Sequence, residues 1–306
     1  MARTIAITGA SGFLGRYLAA AFSRSGAHVR AVVRDPARAA GVDAAEVRLA
    51  DLADADALRR AFEGADVVVH NAALFVLGAP TWDALRAANV DGTTRSLTAA
   101  ADVGVTRNVL ISSTAVYGRR ILRWTREDTP LLTEAHRGRA WAYAISKAVA
   151  ETQAWEIANQ RGLSMTALRP TAIYGRRDTQ LTALALRQLE RRFLLVPTLA
   201  IPFVHAADVA AAAVRAVDND ASIGVCYNLA NPPTSLYAAL RELRRQVGGG
   251  PWMMPLPVPV WVGYDTSAAA RDLGFVPTSL TDGIREVVAG LADATPGRTP
   301  PVTSDR

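Results

Sequence analysis

Over the first two-thirds of the chain, short β-branched runs alternate with longer stretches of helical periodicity. That alternation is the signature of parallel βαβ units. Thr4–Thr8 reads as a strand, residues 9–15 as a glycine-rich loop, and residues 13–25 as a helix ended by Gly26. Strands are predicted at 28–34, Glu46–Leu49 and 67–71, the last apolar throughout, as expected of a strand covered by helices on both faces. A long helix is predicted over 81–101, a fifth strand over 108–112, a second long helix over 141–161 and a sixth strand over 164–169. The pattern predicts a doubly wound α/β sheet of Rossmann type.

After Pro170 the texture changes. The pattern predicts a helix over 179–192, a short strand at Phe203–His205, an alanine-rich helix over 206–217 and a strand over 225–229. Residues 251–261 carry four prolines with Trp252, Met253 and Met254, and read as an extended strap over the core, with an apolar lid as the alternative. The division this implies is a dinucleotide-binding unit over 1–171, returning at about 203–230, and a small substrate-binding unit made of 172–202 and 231–294. The Pro/Thr/Gly-rich stretch 295–306 is expected to be disordered.

Composition narrows the classes. Of 306 residues half are hydrophobic and a fifth charged, the balance of a globular protein with a sizeable core. The single cysteine, Cys226, excludes an intrachain disulfide and a cysteine metal cluster, fits a reducing cytoplasm, and reads as a core residue. A strand begins almost at Met1, leaving no room for a secretory leader. The apolar segments are interrupted by Arg, Asp or Pro before reaching about 18 residues, so no membrane span is predicted. Net charge is +6, yet the basic residues are scattered as singles and pairs, which argues against a nucleic-acid surface. Lys and Arg together number 34, of which one is lysine, leaving 33 arginines. That lone lysine is Lys147.

Two motifs carry chemistry. In Thr8-Gly9-Ala10-Ser11-Gly12-Phe13-Leu14-Gly15, Gly9 makes the tight turn, Gly12 lets backbone approach a pyrophosphate, and Gly15 lets the helix pack on the sheet. At the end of the second strand, Val33-Arg34-Asp35-Pro36 puts Arg34 where an arginine suits the 2′-phosphate of NADP; Asp35 beside it leaves NAD as the alternative. Tyr143 and Lys147 stand four apart on a helix, with Cβ atoms about 5–6 Å apart. An ammonium there is expected to lower the phenol from its ordinary value near 10. Upstream, Ser112-Ser113-Thr114-Ala115-Val116-Tyr117-Gly118 brings a hydroxyl to the sheet edge where such folds bind ligands.

These features resemble the extended short-chain dehydrogenase/reductase family over nearly the whole chain. The resemblance rests on the glycine loop, Asp51-Leu52, His70-Asn71-Ala72-Ala73, Asn89-Val90-Asp91-Gly92-Thr93, the Ser112–Gly118 stretch, Tyr143/Lys147 and Arg169-Pro170-Thr171. Later stretches such as Phe203-Val204-His205 and Asp272-Leu273-Gly274-Phe275 extend it. It implies hydride transfer between nicotinamide and a carbon bearing oxygen, with Tyr143 as general acid or base. Lys147 would tune Tyr143 and hold the nicotinamide ribose, and Ser113, by alignment rather than Ser112, would hold the reacting oxygen. Asn89 would hold helix geometry or a relay water. Asp51 and Leu52 would border the adenine, Asn71, Ala72 and Ala73 the coenzyme, and Pro170 and Thr171 the nicotinamide. Family members are often dimers through two long helices.

Three reactions compete. Thr114 and Ala115 replace the acidic residue of dehydratases. The S-S-x-x-V-Y-G pattern matches sugar-nucleotide epimerases, whereas V-R-D-P after strand two matches reductases of the dihydroflavonol-reductase kind. An NADP-linked reductase is favoured, with a small-molecule substrate and no metal; an NAD-dependent epimerase is the alternative. A non-catalytic NADP-binding sensor is the reading of another class, and retention of Ser113, Tyr143 and Lys147 argues against it. Arg176, Arg177, Arg187 and Arg191 are candidates to meet an anionic substrate group.

Overall fold

The computed structural model describes residues 2–75 and 80–294. The chain opens with β1 (Thr4–Thr8), α1 (Phe13–Arg24), β2 (His28–Val33), β3 (Glu46–Leu49), α2 (Ala55–Phe62) and β4 (Val67–His70). There follow α3 (Trp82–Leu85), α4 (Gly92–Asp102), β5 (Arg107–Ile111), β6 (Trp124–Thr125), α5 (Ala142–Arg161), β7 (Ser164–Pro170) and β8 (Ala172–Tyr174). The last third supplies α6 (Leu181–Leu189), β9 (Phe193–Pro197), β10 (Ala200–Ile201), β11 (Phe203–His205), α7 (Ala206–Asp218), β12 (Cys226–Leu229) and β13 (Thr234–Ser235). It ends with α8 (Leu236–Val247), β14 (Trp252–Leu256), β15 (Gly263–Tyr264), α9 (Ser267–Leu273) and α10 (Leu280–Ala294).

Seven strands form one parallel sheet in the order β12-β7-β5-β4-β1-β2-β3. Each central strand is buried on both faces, which is why it reads as an unbroken apolar run. Ile5 and Ile7 pack with Leu14, Leu18 and Phe22 of α1 and with Val209, Ala213 and Ala216 of α7. Ala6 and Val68 face the other way, onto Leu58 and Phe62 of α2 and Ala99 and Ala100 of α4. The alanine-rich α7 is thus a core helix. The order of strands reverses between β1 and β4, and the loops leaving their C-terminal ends open a crevice there. The doubly wound sheet is as expected.

A separate apolar core lies beyond the sheet, where Tyr174, Leu189, Phe203, Leu243, Ile284 and Val287 are buried together. Among the described residues no helix is long and apolar enough to cross a membrane.

Several expectations need correction. The helix predicted over 81–101 is interrupted: α3 gives way to a wide π-type turn at Arg86–Asp91 before α4 resumes. Both flanks keep a 3.6-residue period, so the break leaves no trace in the pattern. Its cause is local, since the Thr93 hydroxyl donates to the Asn89 carbonyl at 2.6 Å. Segment 251–261 is more than a strap, because Trp252–Leu256 pairs in parallel with Phe193–Pro197. That pairing ends the preceding helix at Leu189, short of the predicted 192. The sequence pattern does not predict helices α2, α8, α9 and α10, and the stretch 295–306 lies outside the described residues.

Candidate active site

The glycine loop shows why each glycine stands where it does. Gly9 has φ +65°, and a Cβ on it would lie 2.9 Å from the Ala72 Cα. A Cβ on Gly15 would meet the Gly9 carbonyl oxygen at 2.1 Å, so α1 sits closer to the turn than any side chain permits. At the helix start Gly12 offers no side-chain cap, and no acidic residue lies in the first turn. The first amides of α1 are therefore left for an anion, at the positive end of the helix dipole.

A cleft of about 1210 Å³ runs along the sheet edge. Its walls include Gly9, Ser11, Gly12, Phe13, Leu14, Arg34, Asp51, Leu52, Asn71, Ala72, Ala73, Ser113, Tyr143, Lys147, Pro170 and Thr171. The structure thus brings together every anticipated site residue except Gly15 and Asn89, which lie behind the wall. The arginines Arg176, Arg177, Arg187 and Arg191 do not line the cleft. The Arg176 amide donates to the Tyr17 hydroxyl at 2.8 Å, and its guanidinium packs against Gly290. The anionic-group expectation therefore finds no support at this site.

One end of the cleft is electropositive. Arg34 and Arg38 both line it, both are exposed, and neither side chain has an ion-pair partner among the described residues. Asp35 is held elsewhere, its carboxylate capping the turn Pro36–Ala39 by accepting the Ala37 amide at 2.9 Å. Arg16 clamps that turn to the glycine loop, donating to the carbonyls of Ala40 (3.0 Å), Arg38 (3.1 Å) and Ser11 (3.3 Å). Nothing local in the sequence distinguishes Arg38 among 33 arginines, so its place in the cleft emerges from the fold alone.

At the other end, buried hydrogen bonds link the glycine turn to the Tyr143 helix. The Thr8 hydroxyl accepts the amides of Asn71 and Ala72, each at 3.1 Å, leaving its proton for His70 Nδ1 at 3.1 Å. By this network His70 carries its proton on Nε2 and donates it to Thr93 at 3.0 Å. Burial and the Lys147 charge push the imidazole down to about 3, so it stays neutral. Asn89, 1% exposed, accepts the Leu74 amide at 2.6 Å and donates to Ser146 at 2.9 Å. Ser146 in turn donates to the Tyr143 carbonyl at 2.8 Å. The widened turn Arg86–Asp91 is what presents Asn89 to both partners.

The two adjacent serines separate cleanly. Both line the cleft, but Ser112 is buried and donates to Glu151, whereas Ser113 is half-buried, accepts the Ala115 amide at 3.1 Å and hydrogen-bonds Tyr143. Glu151, fully buried, grips Arg169 with both oxygens, and Arg169 stacks 5.0 Å over the Tyr117 ring. Glu151 lies one helical turn past Lys147, a spacing that foreshadows its place beneath the site. Cys226 is half-buried beside it, its thiol pushed up to about 12 by burial and thus unreactive.

The Tyr143 and Lys147 protonation differs from the expectation. Burial raises the phenol to about 12, an effect the Ser113 hydrogen bond partly offsets. Lys147 is 3% exposed, donates to the Ile111 carbonyl at 2.8 Å, and is lowered by burial to about 8 while Glu151 pulls the other way. Desolvation dominates both groups, and spacing along a helix carries no information about it. Tyr143 is therefore a protonated phenol at neutral pH. Phe75 and Trp141 surround its ring at 5.0 and 4.8 Å, and both line the cleft.

A phosphate-ready helix start, a crevice at the sheet's switch point and a Ser/Tyr/Lys set on its wall define the class: a dinucleotide-binding protein of the extended short-chain dehydrogenase/reductase type. Residues 5–230 match the NAD dependent epimerase/dehydratase family, and the chain belongs to it. The chain is 30% identical to cinnamoyl-CoA reductase 1 of Oryza sativa subsp. japonica over 265 residues, 78% of this chain and 75% of that protein. It is 38% identical over 177 residues to the 4-hydroxy-2-methyl-3-oxo-4-farnesyl-3,4-dihydroquinoline-1-oxide ketoreductase of Stigmatella aurantiaca. That match covers 56% of this chain and about half (51%) of the relative. In overall fold the chain is similar to UDP-glucuronic acid 4-epimerase from Bacillus cereus in complex with NAD. The TM-score is 0.80 at 22% identity, over 95% of this chain and 97% of that one.

Proposed function

We propose that this chain is an NADP-linked reductase of ketones or aldehydes, with Tyr143 as the proton donor. The observation that carries the coenzyme choice is a pair of guanidiniums, Arg34 and Arg38, at one end of the cleft. Neither has an ion-pair partner among the described residues, while Asp35 is committed to its turn. A 2′-phosphate suits that pair, since charge-assisted bonds to guanidinium are roughly twice as strong as neutral ones. The α1 amides would hold the pyrophosphate, Asp51 and Leu52 the adenine side, and Asn71, Ala72 and Ala73 the middle of the coenzyme. Lys147, Pro170 and Thr171 would hold the nicotinamide ribose and ring. When bound, NADPH supplies the hydride.

The chain's own residues do the rest. Ser113 donates a hydrogen bond to the carbonyl oxygen, and Tyr143 delivers the proton as that oxygen gains negative charge. A phenol at about 12 is fully protonated across the neutral range, which suits the acid role and therefore reduction. Lys147 keeps a positive charge near the same oxygen below about pH 8. The aromatic wall of Phe75 and Trp141 favours an apolar substrate over a nucleotide sugar, and the two named relatives are reductases. The small unit of residues 172–202 and 231–294 supplies the substrate wall, and α4 with α5 is the face for a homodimer.

The deciding experiment titrates NADPH and NADH against the purified protein, then repeats both with Arg34→Asp. Tighter NADPH binding that inverts in the variant is expected. Equal curves for the two nucleotides in the unmodified protein overturn the coenzyme assignment, and stoichiometric NAD⁺ released on denaturation favours an epimerase.

A further inference from the structure

A second cavity, separate from the cleft, lies between α6, β9, α8 and α10 and measures about 330 Å³. Leu181, Val196, Phe203, Leu240, Leu243 and Ile284 are among the residues that line it. Among the described residues no charged side chain does, and the polar side chains are limited to Thr182, Gln188 and Tyr174. Protein interiors leave few voids larger than a water molecule, and an unfilled apolar void costs stability in proportion to its volume. This cavity opens to solvent, and covering its apolar lining is worth about 25 cal/mol per Å².

The surroundings of the cavity define the guest it takes. Tyr174 is 6% exposed, and its hydroxyl has no hydrogen-bond partner among the described residues. That hydroxyl is closed off against Gly283 of α10, so the cavity offers a guest almost no polar partner. The cavity also adjoins the cleft across shared chain. Ala172 and Ile173 of β8 line the cleft and Tyr174 lines the cavity, a step of about 7 Å along a strand. Leu181 is a wall of both. On the solvent side Leu184 and Leu195 are 45% and 44% exposed and form an apolar mouth.

We propose that this cavity binds the aliphatic tail of the substrate whose carbonyl is held at Ser113 and Tyr143. The proposal builds on the reductase reading but has a binding test of its own. A chain running from the cleft past Leu181 exchanges water for leucine, valine and phenylalanine, and needs no counter-charge. The substrate class is thus a ketone or aldehyde on an uncharged chain, long enough to reach beyond Leu181.

The test uses the full chain and two readouts. N-phenyl-1-naphthylamine, an uncharged fluorophore, is titrated without coenzyme and then displaced with methyl ketones from butan-2-one to dodecan-2-one. The same ketones are assayed for NADPH-dependent turnover. Saturable fluorophore binding is expected, with displacement by dodecan-2-one and not butan-2-one. Filling the cavity by Ala239→Phe or Ala185→Phe should weaken fluorophore binding at least tenfold and leave NADPH binding unchanged. In turnover, kcat/KM should rise by up to about fourfold per added methylene, the ~0.8 kcal/mol of burying one CH₂, and flatten in the filled variants. Fluorophore binding equal in wild type and both variants overturns the proposal. If neither variant folds, the wild-type series decides, and a flat dependence on chain length overturns it. Chain-length-dependent binding without turnover of any ketone keeps the cavity assignment and removes the reductase reading; flat turnover with no fluorophore binding does the reverse.

Discussion

The Tyr143 end of the cleft and its Arg34 end are built on opposite terms. Around Tyr143 the supporting groups are tied to buried partners: Lys147 to the Ile111 carbonyl, Asn89 to Leu74 and Ser146, Ser112 and Arg169 to Glu151. Desolvation there moves proton affinities in both directions, raising a phenol and lowering an ammonium. At the Arg34 end two guanidiniums stand in solvent with no ion-pair partner among the described residues, and only the backbone beneath them is clamped, by Arg16. Geometry governs the first end and net charge the second. Substitutions at the first should cost activity or folding even when charge is conserved, and those at the second should change affinity alone.

The sharpest form of that contrast is Lys147→Arg. Charge is preserved, but a planar fork replaces a compact ammonium enclosed beneath the site. We expect a rate loss of about 10²–10⁴-fold with a normal thermal melt. Tyr143→Phe should lose at least as much, and the double variant little more than the worse single, because the two act as a unit. Near-normal turnover of Lys147→Arg would remove the geometric account of this end.

Next in size is Glu151→Ala. It strands Arg169 in the core without its carboxylate, and breaking a buried pair in this way costs about 3–5 kcal/mol. Chemical denaturation reads that loss directly. Arg34→Ala in the same assay should stay within about 0.5 kcal/mol of wild type. A Glu151→Ala protein as stable as wild type would show that the buried pair contributes nothing to support of the site.

At the exposed end, Arg34→Asp should weaken NADPH by about 10–100-fold, the range for loss of a charge-assisted bond of ~1.5–3 kcal/mol. Because the site is solvated, NADPH affinity of the unmodified protein should also fall as salt rises from low ionic strength toward about 0.15 M. NADPH binding that is insensitive to salt would place the 2′-phosphate away from this pair.

The smallest effect is a pH limb. Lys147 is lowered from its ordinary value to about 8, so its charge is present below that pH and lost above it, while Tyr143 stays protonated to about 12. Reduction should therefore be flat from about pH 6 to 7.5, then fall by up to about tenfold per unit above 8. The residual activity of Lys147→Arg should lack that limb, since a guanidinium does not titrate there. A limb that persists in the variant belongs to another group.

Much of this is legible because it is local. A tight turn, a close helix and an anion-ready helix start follow from glycines in one short loop, and Gly9 and Gly15 sit where any Cβ would collide. Tyr143 and Lys147 share a face by helical spacing, and the rarity of lysine marks one of them. Helix α2 is local too and could have been predicted, since Asp54 caps it and Ala57, Leu58, Ala61 and Phe62 form its buried stripe. The pairing of Trp252–Leu256 with Phe193–Pro197 is hidden because its partner is remote in sequence. Arg38 is invisible for a different reason, since its role depends on what it faces, and for Glu151 the helical spacing from Lys147 hints at the place while its partner Arg169 comes from the fold.

The amino-acid sequence by itself determined the doubly wound sheet, the glycine loop at its switch point and the residue types on the cleft wall. Each follows from backbone sterics or from a periodicity within one element. Tertiary structure alone decided which serine meets Glu151 and which meets Tyr143, that Asp35 is committed to a turn while Arg34 and Arg38 stand without ion-pair partners among the described residues, and that burial raises the Tyr143 phenol. It also decided that an apolar cavity shares a wall with the cleft. Burial and pairing are properties of the neighbours a residue meets in space, and those neighbours come from the whole fold.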